Sequence, residues 1–229
     1  MVKSGVLSSD ERDLVKIGVD SFIQPFHSAM DKILGPSSET IGKMLNGMLC
    51  AKMHNVIKVC GWATEMVNKV GLNLGPVPLK VLKPILDGAS LEEDEEMQEL
   101  WAALLANASA EDPNDRRISA AFPEILRQIS PQDARLLNVL YEIAKENNDW
   151  ADRSVGNSLQ IQGRVPEFNQ EQLFNCLENL LHHSLLETDI AVLSGSKERM
   201  EFEAKERNFA VSPFGARFVL ACQPPKAKQ

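Results

Sequence analysis

The chain has 229 residues, 44% of them hydrophobic, and its 32 acidic against 24 basic side chains give a net charge of −8. That length and apolar content make it globular, with room for one large or two ordinary domains. The acidity is spread evenly, 10 basic against 14 acidic residues over 1–110 and 14 against 18 over 111–229, so neither half has the footprint of a nonspecific phosphate binder.

A first helix is predicted over 10–34, where Val15, Val19, Phe22, Phe26, Met30 and Ile33 recur at helical spacing behind a capping box of Ser8 and Glu11. Pro25 kinks or divides it. A second is predicted over 38–70, with Ile41, Leu45, Met48, Lys52, Val56, Val59, Ala63, Met66 and Val70 along one side. Its length of about 30 residues exceeds the usual globular helix, so its apolar side serves either as a core stripe or as a dimer seam through Ile41, Leu45, Met48, Val56 and Val59.

After a break over 71–78, five consecutive acids, Glu92 to Glu96, precede an apolar run. Ser90 is expected to cap a helix here, with Glu93 completing Ser-x-x-Glu and the other acids crowding a first turn where the helix dipole favours negative charge. Met97, Leu100, Trp101, Leu104, Leu105 and Ala108 then form the buried side, and Glu92, Glu95, Glu96 and Glu99 the solvated one. This reads as a helix start, not as a metal site, which needs carboxylates converging with other oxygen ligands.

The polar stretch 109–118 separates an N-terminal helical region, 1–110, from a C-terminal module, 119–222, with 223–229 as a tail. Ser130-Pro131 opens a helix carrying Leu136, Leu137, Leu140, Tyr141 and Ala144. A loop rich in Asn, Gly and Asp follows, and Asn169 then caps a helix reaching to Glu187, with Leu173, Phe174, Leu177, Leu180 and Leu181 as its core face. Two short strands are expected over 200–204 and 208–211, joined by a charged turn, and Ser212-Pro213 opens a last helix to Cys222.

Helix, helix, charged hairpin and helix is similar to a winged helix-turn-helix, in which the second helix reads the partner and the hairpin is the wing. The expected fold is therefore mainly α, an N-terminal helical region with a long helix followed by a winged-helix-like domain with a short β-hairpin. The helix over 169–187 holds no Lys or Arg, and its outward face offers Gln172, Asn175, Glu178, Asn179 and His182. In the wing, Lys197, Arg199, Lys205 and Arg207 are offset by Glu198, Glu201, Glu203 and Glu206. A protein-binding or structural role is favoured over DNA binding, which needs cations for phosphates.

The chain also resembles the bacterial family called abortive infection alpha. The resemblance rests on Pro76-Val77-Pro78-Leu79-Lys80, Pro84-Ile85-Leu86, Ala89-Ser90-Leu91-Glu92, Leu100-Trp101-Ala102, Leu104-Leu105-Ala106-Asn107-Ala108, Phe122 with Glu124-Ile125-Leu126, Ser130-Pro131 with Asp133-Ala134, and Val211-Ser212-Pro213-Phe214-Gly215 with Phe218 and Cys222. It departs at His183-Ser184, where the family tends to have Leu-Gly, and at Ala51-Lys52-Met53-His54-Asn55, where relatives are more basic. The resemblance implies a role in phage resistance and transfers no catalytic residue.

No phosphate loop, nucleophile elbow or paired acid and base stands at motif spacing, so no catalytic residue, metal or cofactor is assigned. Cys50 and His54 are four apart, but two ligands do not make a zinc site. His182 and His183 diverge by about 100° on a helix. Four cysteines without close pairing, an N-terminus broken early by charge, and no long apolar run predict a cytoplasmic protein with reduced thiols and no membrane span. The expected function is a non-enzymatic defence component acting through a protein partner or a homodimer; a winged-helix transcription regulator binding nucleic acid and a hydrolase with dispersed residues are the alternatives.

Overall fold

The computed structural model describes residues 50–110, 118–146, 154–188 and 207–226. The helix expected over 10–34, the strand expected over 200–204, and Lys197, Arg199 and Lys205 of the wing lie outside them. Among the described residues the protein is mainly helical, eight helices with a three-stranded antiparallel sheet in the C-terminal part. The chain divides into two compact units, one comprising Met1–Pro123 with Pro224–Gln229 and the other Glu124–Gln223.

In the first unit α1 (Cys50–Lys69) packs on α2 (Leu79–Leu91) and α3 (Glu95–Ser109). The buried side of α1 is Val56, Val59, Cys60, Ala63 and Val67, a stripe turned slightly from the expected one, since Met66 and Val70 are only half-buried. The helix ends where the sequence places its end. Gly71 takes φ 69°, Leu72 N–H donates to Val67 O at 3.2 Å and Gly71 N–H to Asn68 O at 3.0 Å, the bond pair of a left-handed glycine stop.

Ser90 does not cap α3. It lies in the last turn of α2, 5% exposed, and its hydroxyl donates to Asp87 O at 2.7 Å. The cap is Asp94, whose Oδ1 accepts from Met97 N–H at 3.0 Å. An Asp cap with Glu95 and Glu96 in the first turn satisfies the same orphan amides and dipole as the expected box, four residues later. Sequence periodicity had not marked α2, because Pro84 lies inside it and Val81, Leu82, Ile85, Leu86 and Ala89 bury a broad side. Its C-terminal carbonyl, Glu92 O, accepts from Asn55 Nδ2 of α1 at 2.7 Å and Gln98 Nε2 of α3 at 2.8 Å, so the three helices meet at one backbone oxygen. Trp101, 1% exposed, fills the core against α2; Leu100 and Ala108, expected on the same side, are half-buried.

The border between the units falls inside α4 (Phe122–Gln128). The second unit continues with α5 (Pro131–Glu146), β1 (Ser154–Asn157), α6 (Ser158–Arg164), α7 (Gln170–His182), β2 (Leu186–Thr188), β3 (Asn208–Val211) and α8 (Pro213–Ala221). Pro131, Asn169 and Ser212 open or cap their helices as the sequence predicts: Asn169 and Gln172 form a complete capping box, and Ser212 Oγ accepts from Gly215 N–H at 2.7 Å. β3 is central, pairing antiparallel with β1 through Gly156 opposite Phe209 and with β2 through Leu186 opposite Val211.

β1 and α6 stand where the sequence reads as loop, since Asn157 caps a helix of only seven residues, too short for periodicity to register. α7 stops at His182 and does not reach Glu187. Ser184 takes φ 57°, Leu185 N–H donates to Leu180 O at 2.9 Å and Ser184 N–H to Leu181 O at 2.9 Å. Serine thus adopts the stop that glycine usually supplies. The next residues are free to enter the sheet as β2.

Candidate functional site

A dense polar cluster in the second unit's interior is built around Asp133, which is 4% exposed. Pro131 at the helix start leaves Asp133 on the first turn of α5, where its Oδ2 accepts from Ser130 N–H at 2.8 Å and Ser130 Oγ–H at 2.7 Å, while its own N–H donates to Ser130 Oγ at 3.1 Å. From α7, Asn179 Nδ2 donates to the same Oδ2 at 2.9 Å. A buried carboxylate needs such donors, and this one joins two helices by supplying the acceptor for both.

Cys176 of α7 hydrogen-bonds to this carboxylate, and His183, just past the end of α7, lies within reach of its charge. Cysteine, histidine and aspartate together are the residue types of a thiol nucleophile, but the electrostatics run the other way. Burial, with the hydrogen bond and negative charge of Asp133 added to it, pushes the Cys176 thiol up to about 12. Burial and the neighbouring His182 lower His183, against a smaller upward pull from Asp133. A reactive thiolate requires the reverse shift, so Cys176 stays protonated near neutrality and acts as a small packed side chain. Burial likewise pushes Cys60 up to about 12 and raises Cys222. The expected result, for Cys50→Ser protein at about pH 8, is no reaction of the native chain with a disulfide reagent over minutes and three reacting thiols after unfolding. A thiol that titrates rapidly in the native state would contradict these environments.

The outward side of α7 is less available than its sequence implies. Gln172 is exposed, but its Oε1 accepts from Asn169 N–H at 3.1 Å. Asn179 is turned to Asp133. Glu178 accepts from Arg207 Nη1 at 2.7 Å, the arginine side chain 17% exposed and the glutamate 44%. Asn175 and His182 are exposed, and the His182 and His183 rings lie 5.2 Å apart at 79°, edge to face. Of the seam residues, Val56 and Val59 are buried in the first unit, and Ile41, Leu45 and Met48 lie outside the described residues. His54 is exposed.

Phe174 is the correction of consequence. It was expected in the core, yet it is 44% exposed, and Leu181 is half-buried; Leu173, Cys176, Leu177 and Leu180 make the buried stripe. At about 100° per residue, Phe174 stands a full step round the helix from Leu173, and counting Cys176 as apolar would have drawn the stripe away from it.

In the first unit, the acids ahead of α3 show no convergence. Glu95 pairs with Lys58 at 2.8 Å, Lys58 also lying 4.4 Å from the centre of the Trp62 ring, and Glu92 Oε1 accepts from the backbone of Glu93 and Asp94 at 3.0 Å. Among the described residues no three His, Cys, Asp or Glu side chains are placed to hold a metal ion, and no helix is long and apolar enough to cross a membrane. Gln98 Oε1 and Trp101 Nε1 are buried without a hydrogen bond.

Fold and site together define a mainly helical protein with a small antiparallel sheet in its C-terminal part and, among the described residues, polar side chains engaged chiefly in capping and in joining helices. A family model described as abortive infection alpha matches residues 59–222, and the chain belongs to that family. No curated protein and no solved structure matches it. Membership points to abortive infection defence.

Proposed function

We propose that this protein is a non-enzymatic component of antiphage defence in the cytoplasm, acting through contact with a protein partner. The defence part of this reading rests on the family match over 59–222, and the protein-contact part on the Arg207–Glu178 ion pair at 2.7 Å: an arginine that reaches α7 is already engaged by a carboxylate of that helix. Phosphate contacts need Lys and Arg, and α7 holds none.

The order helix, strand, helix, helix, strand, strand, with β3 between β1 and β2, supports reading 119–222 as a winged-helix-like module after an N-terminal helical region over 1–110. In that reading α7 is the recognition helix, and a helix presenting Glu171, Phe174 and Glu178 suits a protein better than a duplex. A transcription regulator is the second reading, favoured by Asn175, an exposed amide able to read adenine.

The test is phage plating on cells with and without the gene. Lower plating efficiency for at least one phage on cells that carry the gene is the expected result. Unchanged plating across a broad panel would refute the reading.

A further inference from the structure

We infer that the outward side of α7, centred on Phe174, is a docking surface for a basic amphipathic segment of the partner protein, an inference that rests on the protein-partner reading above and names the partner's chemistry.

Three observations converge on it. Phe174 is a large aromatic side chain left 44% exposed, and Leu181, seven residues on and so nearly above it on the same side, is half-buried. A large aromatic side chain with an apolar neighbour on the same side is the kind of anchor that gains when a partner covers it. Next, the charged side chains that α7 itself sets beside Phe174 are acidic: Glu171 is exposed, and Glu178 keeps part of its carboxylate in solvent although Arg207 binds one of its oxygens. An apolar centre with an acidic border complements an apolar stripe flanked by lysine or arginine, and it repels both DNA and an acidic surface.

Finally, the helix is held rigidly. The Asn169–Gln172 capping box fixes its start, Asn179 binds Asp133, and the Ser184 stop fixes its end, with Ser212 Oγ–H donating to Ser184 O at 2.6 Å. A surface already ordered loses little entropy on binding. Laying one amphipathic helix along another reads anchors at three- and four-residue intervals, the interval that separates Glu171, Phe174, Glu178 and Leu181.

The experiment uses the full-length protein and a fluorescein-labelled helical peptide of Lys and Leu, with a Glu and Leu counterpart of the same pattern and a random DNA duplex, followed by anisotropy. The Lys and Leu peptide is expected to bind at least about tenfold more tightly than its acidic counterpart, Phe174→Ala to weaken it about tenfold, and Phe174→Leu to restore most of the affinity. Glu171→Lys is expected to weaken binding as well, with the difference from wild type shrinking as salt is raised. Equal binding of the two peptides, wild-type affinity in Phe174→Ala, or binding of the duplex, itself labelled and added to the protein without peptide, as tight as the peptide's would each overturn the surface. So would sedimentation showing a dimer that Phe174→Ala converts to monomer, since the occupant would then be a second copy. Phage plating separates this inference from the reading beneath it: protection by wild type and equally by Phe174→Ala removes the surface alone, whereas no protection by wild type removes the defence reading and leaves the peptide titration to decide the surface.

Discussion

Replacing Gly215 by alanine is expected to destabilise the C-terminal unit by about 3 kcal/mol, the upper part of the range for overpacking. The added Cβ would run into the carbonyl oxygen of Leu185, lying 2.8 Å from its carbon and 3.0 Å from its Cα. Each of these is main chain, so no rotamer change relieves the contact. Nor is that segment free to retreat. Leu185 N–H is bonded to Leu180 O at 2.9 Å, Leu185 O accepts from Ser212 N–H at 3.1 Å, and Ser184 O accepts from Ser212 Oγ–H at 2.6 Å. The turn after α7 and the start of α8 are thus in backbone contact, which only a residue without Cβ permits. Urea unfolding followed by circular dichroism, with hydrogen exchange over 207–222, measures the effect. A change under about 0.5 kcal/mol, the size of an ordinary surface substitution, would mean that this contact opens in solution.

Trp101→Ala is expected to cost the N-terminal unit about 3–5 kcal/mol, as for other buried aromatic truncations. The indole is 1% exposed, and its six-membered ring lies against Gly88 of α2 so closely that a Cβ there would fall 2.5 Å from Cζ2 and 3.0 Å from Cζ3. Ring and glycine form one fitted pair, with a consequence that separates this account from plain loss of apolar area. Gly88→Ala is expected to destabilise the wild-type chain by about 2 kcal/mol, because a flat buried ring has nowhere to move. In the Trp101→Ala background the same change is expected to be close to neutral, since the methyl then enters the space the ring has left. Thermal or urea unfolding of the two single variants and the double variant closes the cycle. Additive effects would show that Gly88 and Trp101 do not share their space.

Local chemistry was enough to place several helices. Pro131 at a first helical position, Asn169 with Gln172, Ser212 before Pro213, and Gly71 after the last apolar turn of α1 each satisfy backbone groups within a few residues. The sequence therefore determines the starts of α5, α7 and α8 and the end of α1, together with the mainly helical class. The family match over 59–222 includes the residues on which the sequence resemblance rests.

What the sequence left open depends on residues far apart along the chain. Asn179 turns inward to add a donor from a second helix to Asp133, 46 positions earlier; Glu178 meets Arg207 29 positions later; Ser212 grips Ser184 across 28. Ser90 lost the role of cap because α2 continues through it, held at its end by Asn55 from α1, 37 positions before Glu92. β2 forms because the edge of β3 accepts Leu186, Glu187 and Thr188 as a third strand, and a strand of three residues has no stability apart from its neighbour. Phe174 is outside for the same reason: with Leu173, Cys176, Leu177 and Leu180 buried, the packing of α7 on α5, α6 and β2 chooses which apolar residues are covered. Periodicity states that a helix has an apolar side; only the elements packed against it decide where that side ends.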